Sequence, residues 1–143
     1  MKRMVVDLLI AKAVDAIASW YTNNKGRREE ADKLLRELSR LLNKPLLHMN
    51  MSKKHGCFIM RTYIPFLEKD IENLDDFISL HAPEIMGDFA TTVGDFRDYL
   101  VEFYTFMKGA SLGCGDELDA YLAGIERYVK ETTARINSIL SDR

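Results

Sequence analysis

The sequence has few helix-interrupting residues and lacks a long uncharged apolar run. Its 143 residues include only three prolines and eight glycines, too few for the many short turns that an all-β fold requires. No stretch approaches the roughly 18 consecutive apolar residues that a membrane-spanning helix needs. The sequence therefore favours an all-α protein and argues against a membrane protein.

Cysteine is also scarce. Cys57 and Cys114 form no C-x-x-C pair, which favours two reduced thiols in a cytosolic protein, although an up-and-down bundle would bring both to one end and so leaves a disulfide conceivable. The apolar N-terminal segment resembles a signal peptide only superficially, because Asp7, Lys12 and Asp15 interrupt it. We therefore predict a cytoplasmic location.

The residue patterns of familiar active sites are missing. The three histidines, His48, His55 and His81, have no carboxylate or second histidine at helical metal spacing. The glycine-rich segment 109–116 lacks the Gly-Lys-Ser/Thr ending of a phosphate-binding loop and follows a helix rather than a strand, and no serine lies in a G-x-S-x-G turn. The sequence predicts no metal, no cofactor and no catalytic residue.

Apolar residues recur at intervals of three and four in five segments, which predicts a single domain, 1–143, folded as an antiparallel bundle of about five helices. The predicted helices cover about 3–22, 27–43, 65–80 and 83–107, and a last helix that begins after Asp116 as its N-cap and runs to the end of the chain. Pro45 is expected to end the second helix and Pro83 to begin the fourth. The apolar stripe predicted to be core in the fourth helix consists of Ile85, Phe89, Val93, Phe96, Leu100, Phe103 and Met107.

Charge is unevenly distributed along the chain. Residues 1–61 contain 13 Lys plus Arg against 6 Asp plus Glu, a net charge of +7, and residues 62–143 contain 7 against 16, a net charge of −9. The halves could neutralise each other within one molecule or between copies. A basic half also favours contact with a polyanion, so we expect a non-catalytic helical protein that binds nucleic acid or an acidic protein surface.

An up-and-down bundle would gather cations at one end, beside the positive ends of two helix dipoles. The candidate anion-binding residues at or near that end are Lys2, Arg3, Lys44, His48, Lys53, Lys54, His55, Arg61 and Lys108. No aromatic residue alternates with these lysines in the sequence, so it offers no obvious platform on which a base could stack.

Two alternatives remain open. The first is a structural homo-oligomeric module, in which Tyr99, Tyr104 and Phe106 beside the core stripe would form an apolar interface if they are exposed.

The second alternative is an RNA-cleaving enzyme. Arg40 and His48 resemble the Arg and His pair that ribonuclease members of the HEPN helical domain carry with four to six intervening residues at a helix start. In this sequence seven residues, Pro45 among them, separate the two. The resemblance implies ribonuclease activity built around Arg40 and His48, with His55 and Arg61 as further candidates.

Overall fold

A computed structural model describes residues 2–53, 59–109 and 115–142, with the side chains of residues 2–4, 53 and 59–61 excepted. The described residues form a short 3₁₀ turn, Lys25–Arg27, and five helices: α1 (Lys2–Asn23), α2 (Arg28–Lys53), α3 (Ile59–Ile85), α4 (Asp88–Gly109) and α5 (Asp116–Ser141). No strand occurs in the described ranges. The predicted all-α helical bundle is therefore confirmed.

Contacts between side chains show that successive helices alternate in direction. His48 near the end of α2 contacts Asp70 near the start of α3, whereas Glu37 near the start of α2 contacts His81 near the end of α3. The same crossing pattern joins α3 to α4, through Asp75 with Arg97 and Glu68 with Tyr104. It also joins α4 to α5, through Phe96 with Tyr128 and Phe103 with Tyr121. The last turns of α2 and α4 therefore lie at the same end of the bundle as the first turns of α3 and α5.

The helices pack around one core in an order that differs from their order in the chain. The main neighbours of α2 are α3 and α5, and those of α4 are α3 and α1. All seven side chains of the core stripe predicted for the fourth helix are at most 3% exposed. Six of them lie on α4, whereas Ile85 is the last residue of α3. Large aromatic rings from α4 and α5 stack in the centre, with the Phe96 and Tyr128 ring centroids 4.1 Å apart.

Gly124 allows α1, α4 and α5 to approach closely. It is buried on α5, where an added Cβ atom would lie 2.9 Å from Val6 of α1 and would collide with the Tyr99 hydroxyl of α4. A side chain at this position would push apart three helices, so glycine is required here by packing rather than by backbone conformation.

The structure corrects two predicted helix boundaries at prolines. Pro45 lies inside α2 and does not end it. Beyond it, Met49 and Ser52 are buried, and burial of this last part of the helix offsets the roughly 3 kcal/mol cost of an internal proline. Pro83 lies inside α3, and α4 begins only at Asp88, after Gly87 with a φ of 97°.

The other boundaries differ less. Helix α3 covers the predicted 65–80 and extends to both sides, with Pro65 inside it. Asp116 is the first residue of α5 and not its N-cap, since Gly115 occupies the N-cap position and contributes no side chain. None of the helices described is long and apolar enough to span a membrane.

Candidate nucleic-acid interface on helix α2

The outward face of α2 carries four basic side chains in a row. Lys33, Arg36, Arg40 and Lys44 follow one another at intervals of three and four residues, the spacing that places side chains on one side of a helix. Lys33, Arg36 and Arg40 are exposed and Lys44 is half-buried. At 1.5 Å per residue the row is about 16 Å long.

These four cations have no ion-pair partner among the described residues, whereas most cations on α3 to α5 do. Ion pairs join Lys69 to Glu72, Arg97 to Asp75 and Asp98, Arg127 to Asp7 and Glu131, and Lys130 to Glu126. Two carboxylates are directly adjacent to the row in sequence: buried Asp32 accepts a hydrogen bond from Tyr21, and Glu37 is engaged by His81 at 3.1 Å. The positive charge of the row is therefore largely available to a partner molecule, although exposed Glu29 and Glu30 oppose it at its start and Lys44 at its end also acts on buried Asp70.

A shallow depression of about 510 Å³ lies along one side of the row. Its lining combines two of the cations with amide and apolar groups: Arg40, Asn43, Lys44, Leu46, Leu47 and Asn50. Leu47 and Met51 continue the exposed face beyond Lys44, at 57% and 46% exposure. The face is thus cationic in its first three turns and apolar in its last.

On the other side of the row, His48 is held by a buried carboxylate. His48 Nδ1 lies 2.8 Å from Asp70 Oδ2 on α3, and the two side chains are 18% and 1% exposed. In the neutral imidazole, this contact keeps the proton on Nδ1 and leaves Nε2 as an acceptor. The buried aspartate therefore fixes both the tautomer and the orientation of a partly exposed histidine ring.

Asp70 is in an environment that disfavours its charge. Burial raises the pKa of Asp70 above its ordinary value, and the hydrogen bond from His48 and the positive charges of His48 and Lys44 partly oppose that shift. The second carboxylate oxygen, Oδ1, is buried and has no hydrogen-bond partner among the described residues. Asp70 therefore depends on His48 and Lys44 for its stabilisation.

Phe66 of α3 covers the His48 ring. The two ring centroids are 4.5 Å apart with an angle of 20° between the planes, a stacked arrangement. Phe66 is 37% exposed, and it is the only aromatic side chain among the exposed large hydrophobic residues of the described chain. Sequence spacing could not reveal this stacked pair, because Phe66 and His48 come from different helices.

The structure brings only some of the predicted anion-binding residues together. Lys44 and His48 lie one turn apart on α2. Exposed Lys108 lies on α4, where its Nζ atom is 5.4 Å from the centre of the Tyr104 ring. The side chains of the remaining six candidates lie outside the described residues: Lys2, Arg3, Lys53, Lys54, His55 and Arg61. Cys57, Cys114 and most of the glycine-rich segment also lie outside them.

The aromatic residues predicted as an interface do not form an exposed patch. Tyr99 is buried, and its hydroxyl lies over Gly124. Tyr104 is half-buried and donates a hydrogen bond to Glu68, while Phe106 packs on Tyr121 of α5. Tyr99 is therefore part of the core, because α5 covers the side of α4 from which it projects.

A second concave site lies at the opposite end of the bundle, where a cleft of about 480 Å³ separates the end of α1 from α2 and α3. It is lined by Trp20, Glu37 and His81 together with charges of both signs, including Arg27 and Glu30. The Trp20 indole N–H is already used, since it donates to the Glu84 carbonyl at 2.7 Å. The described residues include no group of three or more His, Cys, Asp or Glu side chains that could hold a metal ion.

Comparison of the chain with family models, with curated proteins and with solved structures finds no match.

Proposed function

We propose that this protein is a helical interaction module that binds the phosphate backbone of nucleic acid through the outward face of α2. The observation that carries the proposal is the row formed by Lys33, Arg36, Arg40 and Lys44, whose charges have no described ion-pair partner. Four cations along about 16 Å of helix match a polyanion with regularly repeated charges. The proposal keeps the cytoplasmic location expected from the sequence.

The test is binding of a fluorescently labelled oligonucleotide, followed by anisotropy at several salt concentrations. Neutralising four phosphates releases counterions, so for a single strand the logarithm of the binding constant should fall with the logarithm of salt with a slope of about −3. Arg40→Glu should weaken binding at least tenfold and make the slope shallower. Absence of salt-sensitive binding at micromolar protein concentration would remove the proposal.

The matched control is Arg135→Glu. Arg135 is exposed on α5, and its reversal changes the net charge of the protein by the same amount. It should leave binding almost unchanged if the row, rather than overall charge, determines affinity. Equal effects of the two variants would point to non-specific attraction. Binding of polyglutamate but not of nucleic acid, lost in Arg40→Glu, would assign the face to an acidic protein partner.

A ribonuclease is the second candidate, favoured by the contact between His48 and Asp70. A carboxylate that holds Nδ1 leaves Nε2 able to accept a proton from an RNA 2′-hydroxyl, and general-base catalysis of this kind contributes about 10²–10⁴-fold. Lys44 and Arg40, one and two turns before His48 on the same face, would stabilise the phosphate charge. Incubation of labelled RNA with the protein and with His48→Gln tests this candidate. The absence of cleavage by the parent protein, or equal cleavage by both proteins, would exclude it.

A further inference from the structure

The row of cations ends at an aromatic platform, which is formed by the stacked rings of His48 and Phe66. His48 lies one helical turn after Lys44, which places their Cβ atoms about 5–6 Å apart, and Phe66 stacks on the His48 ring with centroids 4.5 Å apart. A strand whose phosphates follow the row would therefore have its next base close to Phe66.

Each layer of this platform contacts the next. Asp70 is buried and holds His48 Nδ1 at 2.8 Å, and the oriented His48 ring supports Phe66 from one side. Phe66 still exposes 37% of its surface, so part of the ring is accessible to a ligand. A preorganised ring of this kind loses little conformational entropy when a flat ligand stacks on it.

From this arrangement we infer that the α2 face prefers single-stranded nucleic acid and that Phe66 is the residue on which an unpaired base stacks. The inference rests on the proposed function. Bases inside a duplex are already stacked on their neighbours and offer no free face, whereas an unpaired base can stack on an aromatic side chain whatever its identity. Exposed Leu47 and Met51 on the adjoining turn of α2 add apolar surface that suits a base better than a phosphate.

The experiment compares Phe66→Leu with the parent protein on a single-stranded 12-mer and on a duplex of the same sequence. Base stacking on an aromatic side chain is worth about 1–3 kcal/mol. At 1.4 kcal/mol per factor of ten, Phe66→Leu should weaken single-strand binding about 5- to 150-fold. The slope of affinity against salt should stay the same because no charge is lost, and duplex binding should change less than twofold.

Two further variants separate stacking from loss of structure. Phe66→Tyr keeps the ring and should bind single strands within about twofold of the parent protein. Leu80→Ala removes an apolar side chain that is 70% exposed at the other end of α3, and it should have no effect. The fluorescence of a 2-aminopurine base in the strand should be quenched by the parent protein and by Phe66→Tyr, but not by Phe66→Leu.

The outcomes distinguish this inference from the proposed function. Salt-sensitive binding that is equal for single strands and duplexes, or unaffected by Phe66→Leu, would overturn the stacking site and leave the basic row intact. Loss of all binding in Phe66→Tyr would also overturn it, because the ring is still present. No salt-sensitive binding by the parent protein would remove both.

Discussion

Two histidine–carboxylate pairs join α2 to α3, one near each end of the interface, and they differ mainly in burial. His48 contacts Asp70 at 2.8 Å, and the carboxylate is 1% exposed. His81 contacts Glu37 at 3.1 Å, and that carboxylate is 35% exposed beside an open cleft. The contact between His48 and Asp70 is therefore shielded from water, and the contact between His81 and Glu37 is solvated. Water competes for hydrogen bonds to the Glu37 carboxylate but not to the Asp70 carboxylate.

Removal of each carboxylate tests the difference between the two pairs most directly. Removing Asp70 leaves the Nδ1–H group of His48 without its acceptor, and an unsatisfied donor of this kind costs about 1–3 kcal/mol. We therefore expect Asp70→Ala to lower the free energy of unfolding by about 1–3 kcal/mol. Glu37→Ala should lower it by less than about 1 kcal/mol. Urea denaturation measures both values, and similar losses would mean that burial does not distinguish the pairs.

The stacked ring gives the next largest effect. Phe66→Ala removes the stacking contact with His48, for which an aromatic pair contributes about 0.5–1.5 kcal/mol beyond its buried area. We therefore expect a loss of about 1 kcal/mol in the free energy of unfolding. The double variant Phe66→Ala with His48→Ala should lose less free energy of unfolding than the sum of the losses in the two single variants. Thermal unfolding of the three variants measures these losses. Additive losses would mean that the rings are not coupled.

The pH dependence of stability tests the environment of Asp70. Its pKa is raised above the ordinary 3.8 because burial outweighs the favourable effects of His48 and Lys44. The folded protein therefore binds this proton more tightly than the unfolded chain, and the associated stability is lost as pH rises from below 3.8 through the raised value.

The variant Asp70→Asn cannot titrate and keeps an oxygen to accept from His48 Nδ1. Relative to this variant, the parent protein should lose stability as pH rises over that range, by about 1.4 kcal/mol for each unit by which folding raises the pKa. Denaturation curves at a series of pH values measure the difference. If the parent protein instead became more stable relative to the variant as pH rises, attraction to His48 and Lys44 would outweigh burial.

The smallest expected effect concerns salt. Exposed ion pairs are screened at high ionic strength and buried ones much less. The few tenths of a kcal/mol that Glu37→Ala costs should disappear in about 1 M salt, while the cost of Asp70→Ala should persist. Denaturation in low and high salt measures both, and a cost of Asp70→Ala that also disappears would contradict the assignment of that pair as buried.

Much of the architecture could be predicted from the chain because apolar spacing records which side of a helix is buried. The stripe from Ile85 to Met107 was predicted from that spacing and is core in the structure. The boundary at Pro45 was wrong because the local preference of proline is overridden where residues beyond it, such as Met49, are buried. The boundary at Pro83 was wrong because α3 continues past it to buried Ile85 and α4 begins only after Gly87.

The candidate site could be predicted only in part. Lys44 and His48 were identified from charge and from their position near a bundle end. The basic row as a unit was missed, since it appears only when Pro45 is placed inside one continuous α2. Phe66 and Asp70 were missed because both lie on α3, and no sequence spacing relates them to His48.

The order of residues by itself determined a helical bundle and an excess of positive charge in the first part of the chain, because both follow from side chains close together in sequence. Only the packing of the helices shows that Tyr99 is buried, that Asp70 contacts His48 and that Phe66 stacks on His48, one turn beyond the basic row. These contacts join residues on different helices, and they depend on how the packed helices are rotated and aligned against one another.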